Sequence, residues 1–292
     1  MEIRIRPGVS LLRRNTLMPT TRLILFCLAV ALEGAVGTDS RANDLRPSAS
    51  CCPVVELRQY TTLPGKGDAL VRLYERSFIE GQEAAGISLP GQFRVAGFPN
   101  RFDWLQGFTS MSTRKADFES FYGGKVWKTH RQEVNSLLLE SGNVLLLRPA
   151  HGGSGFPVSK PRPPIGSTAE PKGLVVATIY YLGSTPEEQF NRTFENTIRR
   201  VVNAHGALIL ASFVTDHSPN NFPTLPVRGD VNLFVWFACF PDKATYVRYT
   251  ISLSNDPRWL AVEDDFALAR MYIPPEVDLL RPTPRSLLRC ST

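Results

Sequence analysis

An α+β chain of two tandem ferredoxin-like (βαββαβ) units, packed sheet to sheet, is predicted by three features of the sequence. A strand-like run passes into a helical run twice, and the segments on either side of a Gly/Pro-rich stretch rhyme in order. Each such unit also leaves one sheet face bare, which a second unit can cover. With 292 residues, 43% of them hydrophobic, the chain can bury one large core or two smaller ones.

Residues 1–37 read as a signal peptide. Arg13, Arg14 and Arg22 precede the apolar run LILFCLAVALEGAVG, and Ala35-Val36-Gly37 offers small residues for cleavage near Thr38. Met18 is an alternative start. The run is short for a membrane crossing, so no permanent span is expected. Export to a periplasmic or secreted setting is expected, with a cytoplasmic or mitochondrial one as the alternative. These residues hold five arginines against two glutamates, half of the formal +6. The charge that remains is too weak and too scattered for a nucleic-acid surface.

Residues 38–52 are expected to be a flexible segment, and 53–150 the first unit. Its opening strand, VVELRQY from Val54, alternates Val55, Leu57 and Gln59 with Glu56, Arg58 and Tyr60. Pro64-Gly65 turns the chain into a helix from Asp68, striped by Leu70, Val71, Tyr74 and Phe78. FDWLQGF is the next clear strand. Trp127, His130, Val134 and Leu137 stripe a second helix, and NVLLLRPA closes the unit. Residues 151–171, within HGGSGFPVSKPRPPIGSTAEPKG, lack any apolar period and read as a linker.

Residues 172–290 repeat the plan. LVVATIYY answers VVELRQY. Thr185 is expected to cap the following helix, with Pro186 at its first position and Glu188 completing a capping box. Phe190, Phe194, Ile198 and Val201 stripe that helix, and Gly206 ends it. NLFVWFACF answers FDWLQGF, and Trp259, Val262, Phe266 and Ala269 match the second stripe. Closing the two sheets into one barrel is expected to put Val55 and Leu57 under the helices and Glu56, Arg58 and Tyr60 inside. Cleavage leaves Cys51, Cys52, Cys239 and Cys290, with no C-x-x-C pair. Cys239 reads as an inert buried thiol, and Cys290 as a possible bridge to Cys51 or Cys52 in an exported chain.

The stretches ELRQYTTLPGK, DPRWL and LLRPTPRSLL resemble the NIPSNAP family, and FIEGQEAAG, FYGGKVWKTHR and NVLLLRPA a bacterial branch of it. The resemblance covers residues 53–150 and, more loosely, 172–288. It implies a dimeric α+β barrel, here with one chain supplying both units, and no defined reaction. Eukaryotic members are linked to mitochondria and to vesicle traffic or mitophagy. A signal peptide departs from that pattern.

Trp104 and Gln106 share a sheet face with Glu56, Arg58 and Tyr60, and Arg148 closes the fourth strand; together they are the ligand-pocket candidates. Buried Glu and Arg need each other, so an ion pair that merely plugs the barrel is the competing reading. The second unit places Ala177, Ile179 and Tyr181 at matching positions, making the expected cavity lopsided. His130 is a weak catalytic candidate, because the second unit fills its stripe position with Val262. His205 is expected at a helix C-terminus, where its charge suits the dipole. Trp127 and Trp259 read as core anchors. No histidine pair has metal-ligand spacing, so no metal is expected; no cofactor is predicted, and haem is left open. PGKGD lacks the Ser or Thr of a P-loop, and GGSGF lacks the context of a nucleophile elbow. Three classes remain: a small-ligand binder, a monooxygenase-like or isomerase-like enzyme, and a non-catalytic interaction module. The form is a monomeric two-unit barrel or a homodimer.

Overall fold

In each half of the chain the strands pair in the same order. The computed structural model describes residues 51–157, 161–264 and 273–290. The first half runs β1 (Val54–Thr62), α1 (Gly67–Leu73), α2 (Ile79–Ala84), β2 (Gln92–Val95), β3 (Phe98–Phe108), α3 (Met111–Gly123), α4 (Lys125–Asn135), β4 (Leu138–Glu140) and β5 (Val144–Pro149). The second runs β6 (Leu174–Tyr181), α5 (Glu187–Thr193), α6 (Arg199–Ala204), β7 (Leu208–Thr215), β8 (Leu233–Phe240), α7 (Lys243–Ser254), α8 (Pro257–Glu263) and β9 (Glu276–Pro282). The order is β5-β1-β3-β2 in one half and β9-β6-β8-β7 in the other, all antiparallel. Pairings β2–β9 and β5–β7 join the halves, so eight strands close into a barrel within one chain. Short β4 extends the end of β1.

Both halves carry the same irregularity. A π-helical turn, Tyr74–Phe78, joins α1 to α2, and another, Phe194–Ile198, joins α5 to α6. Such widened turns shift the side chains that follow around the helix axis and recur at functional sites. The Pro64-Gly65 turn forms as expected, with Gly65 at φ +74°. Ser110 caps α3 in a reciprocal box with Thr113, and Asp242 and Asp256 cap α7 and α8. At α5 the expected box does not form. Pro186 is itself the N-cap, with extended ψ of 132° and no side-chain bond, so the helix begins at Glu187.

Side chains fall into one core inside the barrel and two under the helices. Val55, Leu57, Leu105, Ala177, Ile179 and Phe237 belong to the interior core, to which both halves contribute. The expected orientation of β1 is therefore inverted: Val55 and Leu57 face inward, and Glu56, Arg58 and Tyr60 face the helices. The physical reason lies in the barrel's small bore. Eight inward rows fit best as branched aliphatics, Ala and Phe from both halves, while the thicker layer under the helices has room for a hydrogen-bonded polar network.

The Gly/Pro-rich linker is fastened to the body at Phe156 and Arg162. Phe156 is buried in the barrel core, its ring 4.9 Å from Phe213 and 5.0 Å from Phe237. The Arg162 guanidinium bonds Glu83 at 2.6 Å and the carbonyls of Leu89 (2.7 Å) and Arg285 (2.6 Å). The cysteines correct the sequence reading. Cys239 is no free thiol but is bonded to Cys290, and Cys51 is bonded to Cys52. Cys239 pairs with Val175 across β8 and β6, and the C-terminal run brings Cys290 Sγ to 3.0 Å from the Leu174 carbonyl. Spacing along the chain could not reveal that neighbourhood. Residues 1–37, expected to be a signal peptide, most of the expected flexible segment (38–50) and the stripe residues Phe266 and Ala269 lie outside the described residues.

Candidate functional site

A cavity of ≈ 300 Å³ lies between the outer face of the first-half sheet and its helices. β1 and β3 supply Tyr60 and Trp104, the π turn and α2 supply Tyr74 and Gln82, and α3 supplies Tyr122. Phe222 and Leu225 reach it from the second half. Antiparallel register explains the grouping: Glu56 lies opposite Gln106 and Arg58 opposite Trp104, so all four project to the helix side.

A continuous polar chain backs the cavity. Gln82 Nε2 donates to Tyr74 Oη at 2.9 Å, and Gln106 Nε2 donates to Gln82 Oε1 at 2.5 Å. Arg58 Nε lies 2.8 Å from Gln106 Oε1 and 2.7 Å from Glu56 Oε2, while its NH1 donates to Tyr60 Oη at 2.9 Å. Glu56 also accepts from Arg114 Nε at 2.6 Å. Glu56 and Arg114 are 0% exposed and Arg58 1%, so one carboxylate serves two guanidinium groups out of water's reach. That leaves an excess positive charge. The faces of Phe118, 4.9 Å from Arg114 and 5.6 Å from Arg58, and of Trp104, 5.6 Å from Arg58, offset part of its cost. Burial is the largest single influence and opposes the charge of Arg58, but Glu56, Tyr60 and Tyr122 together outweigh it and hold the guanidinium above its ordinary pKa.

What this wall presents to a guest is hydrogen-bond donors. Tyr60 accepts from Arg58, leaving its own proton free for a ligand. Trp104 Nε1 is buried with no acceptor among the described residues. Burial raises the pKa of Tyr74 and of Tyr122, so both phenols remain protonated donors at neutral pH. The only carboxylate in the polar chain, Glu56, is consumed by two arginines.

Of the residues singled out from sequence, Tyr60 and Trp104 line the cavity, and Glu56, Arg58 and Gln106 stand directly behind them. Arg148 does not belong. Its side chain is 46% exposed and pairs with Glu187 at 2.9 Å, because it stands opposite Val214 across the β5–β7 junction, on the outer face toward α5. His130 is half-buried between α4 and the π turn, 3.2 Å from Glu133 and edge-on to Phe78, and does not line the cavity. Tyr74, Gln82, Tyr122 and Arg114 also belong to the site, although none is singled out for it from sequence. Gln82 and Arg114 had a signal, being polar residues on the inward faces of otherwise apolar helices. The corresponding second-half cavity, ≈ 170 Å³, is lined by Tyr180, Trp236 and Tyr249. Val176, Thr178 and Tyr180 stand in line with Glu56, Arg58 and Tyr60, not the expected Ala177, Ile179 and Tyr181, of which Ala177 and Ile179 face the barrel interior.

Two other clusters have simpler roles. His205 bonds Ser252 at 2.6 Å and Asp256 at 2.7 Å, clasping the end of α6 to the α7–α8 junction. Ser252 sits within α7, whose helical bonds occupy its backbone N–H, so an oxyanion site is not built there. At one end of the barrel, Arg101 faces Asp278 (2.6 Å), Asp103 (3.0 Å) and Glu276 (3.1 Å). Burial foremost, and then the neighbouring carboxylates against the pull of Arg101, pushes Asp103 up to about 7 and Asp278 up to about 6. Both folded-state values exceed the ordinary 3.8, so folding takes up protons between roughly pH 4 and 7. Stability is accordingly highest at the acid end of that window and falls as pH rises through it. Thermal midpoints measured from pH 4 to 8 are expected to show this decline, and Asp103→Asn to flatten it. A midpoint that climbs steadily over the same range would contradict the assignment. Among the described residues no group of three or more His, Cys, Asp or Glu is placed to hold a metal ion, and no helix is long and apolar enough to cross a membrane.

No family model and no curated protein matches the chain. Among solved structures it is similar to a protein of Lactobacillus acidophilus NCFM provisionally named a monooxygenase, at 11% identity over 79% of this chain and 94% of that one, with a TM-score of 0.48. An anthrone oxidase-like protein matches at 13% identity over 82% of this chain and 96% of that one, TM-score 0.46. An uncharacterized NIPSNAP domain protein from Burkholderia xenovorans matches at 20% identity over 33% of this chain and 93% of that one, TM-score 0.31. Several NIPSNAP family proteins, from Burkholderia xenovorans and Agrobacterium tumefaciens, thus stand among the solved structures that this eight-stranded α+β barrel resembles.

Proposed function

We propose that the chain binds a planar aromatic molecule bearing a hydroxyl or carbonyl oxygen in the first-half cavity. The observation that carries this reading is the pairing of an aromatic-walled void with donors that lack acceptors, Tyr60 Oη–H and Trp104 Nε1–H, in front of a buried excess positive charge. An apolar guest alone would leave those donors unpaired, at about 1–3 kcal/mol each; an acceptor oxygen satisfies them. Enzymic proton abstraction is the less favoured reading, because the cavity offers donors while Glu56, the nearby carboxylate, is already spent on two arginines.

Titration with 2-naphthol, followed by tryptophan fluorescence and by thermal shift, tests the proposal. Saturable binding is expected to raise the melting temperature. Tyr60→Phe and Trp104→Phe are each expected to weaken it roughly tenfold, as loss of one buried hydrogen bond implies. Binding that ignores both substitutions would defeat the idea.

The chain is further proposed to be a tandem duplication of a ferredoxin-like unit, divided at 53–150 and 172–290. The shared strand order and the π turn at the matching helix position support that division. Export, with removal of 1–37, is proposed as well; two disulfides among the described residues favour an oxidising compartment.

A further inference from the structure

The two halves differ most at one connection. In the first, Ala96-Gly97 alone separates β2 from β3; in the second, residues 216–232 separate β7 from β8. This long loop leaves its own half and lies over the first-half cavity, where Phe222 stacks on Tyr122 at 5.9 Å and 24° and meets Phe118 at 5.3 Å. Its two ends are fixed by backbone bonds to β5: Asp216 N donates to the Leu146 carbonyl at 2.9 Å, and Arg228 N to the Val144 carbonyl at 2.8 Å.

Between those anchors the tip is held differently. It is internally braced, with Asn220 Nδ2 bonding the Leu225 carbonyl at 2.8 Å and Phe222 N bonding Asn220 Oδ1 at 3.1 Å. Its polar ties to the first half are side-chain ties. Arg114 NH1 donates to Asn221 Oδ1 at 2.6 Å and Asn220 Oδ1 at 3.2 Å, and Asn221 Nδ2 donates to the Met111 carbonyl. A braced tip with anchored ends and a polar catch can lift as a unit, keeping its internal bonds and surrendering the catch and the packing of Phe222, Leu225 and Val227 on the first half. Pro219 and Pro226 stiffen the chain on either side of that tip.

We propose that the 216–232 loop is a lid over the first-half cavity and that Arg114 is its latch. The latch is not independent of the cavity. Arg114 is oriented by Glu56, the same carboxylate that orients Arg58 and, through it, Tyr60. A ligand oxygen that bonds Tyr60 thus acts on a network whose far end holds the lid shut. The gating role rests on the proposed binding reading; the latch itself does not.

Hydrogen exchange on the full chain, read by mass spectrometry without any ligand, tests the latch. In Asn221→Ala the amides of 217–227 and of the start of α3 are expected to exchange roughly tenfold faster or more, since a bond to a charged group is lost. Exchange in β6 and β8 is expected to stay unchanged. Asn220→Ala, which removes two of the tip's internal bonds but keeps the shorter Arg114–Asn221 bond, is expected to speed exchange within 220–225 while leaving the start of α3 protected. Unchanged exchange at 217–227 in Asn221→Ala, or an even rise along the whole chain, would overturn the lid. Selective opening in a chain that binds no 2-naphthol would uphold the lid and remove the binding reading. Binding without selective opening would do the reverse.

Discussion

Glu56→Gln is expected to cost about 3–5 kcal/mol, enough to unfold a domain of ordinary stability, whereas Arg58→Met is expected to cost less than half as much. The asymmetry follows from charge. Glu56 is the sole carboxylate between two guanidinium groups that are 0–1% exposed. Neutralising it leaves two like charges buried together, with Arg114 keeping only the amide oxygens of Asn220 and Asn221. Removing Arg58 instead leaves a neutral Glu56–Arg114 pair. The residual cost is an unpartnered Gln106 oxygen and the lost stacking on Trp104. Urea denaturation of both variants at pH 7 measures the difference. Equal losses would mean that the network is balanced by a charge not identified above, and a greater loss for Arg58→Met would refute the excess-charge account.

The second large effect concerns the covalent links. Cys239 and Cys290 are 51 residues apart, and a closed loop of that length restricts the unfolded chain by about 4 kcal/mol in the entropic treatment. Cys239→Ala with Cys290→Ala is expected to lower stability by about 2–4 kcal/mol and the melting temperature by roughly 5–15 °C. Cys51 and Cys52 are adjacent, so their bond closes almost no loop. Their joint replacement is expected to leave stability within about 1 kcal/mol, the scale of ordinary substitutions. Differential scanning calorimetry separates the two cases. A larger loss from the 51/52 pair would contradict the loop-length argument. A chain purified from its host with all four thiols free would contradict export.

The same reasoning marks what a reader of the sequence alone can reach. Period-two alternation in VVELRQY correctly sorts Val55 and Leu57 from Glu56, Arg58 and Tyr60, because strand geometry permits nothing else. Alternation cannot say which set faces the barrel, since both faces of this sheet are buried. Placing the polar set inward assumes that helices demand apolar partners. Gln82 and Arg114 invalidate the premise here by meeting Glu56, Arg58 and Gln106 from the helix side. Gln59 opposite Asp103, on the supposedly helix-packed face, carried a contrary signal. The disulfide between Cys239 and Cys290 depends on a neighbourhood made by tertiary structure, and the lid depends on a crossing between halves. Neither leaves a local pattern, although the proline- and asparagine-rich stretch HSPNNFPTLP is conspicuously long for a hairpin.

On the proposed reading the first half holds an oxygenated aromatic ligand and the matching cavity of the second half does not. A crystal structure of the full chain grown with 2-naphthol tests it most directly. The ring is expected beneath Phe222, its oxygen within hydrogen-bonding distance of Tyr60 Oη or Trp104 Nε1, with no naphthol beside Trp236. Naphthol seated in the second-half cavity, or in the first with its oxygen turned away from both donors, would contradict it.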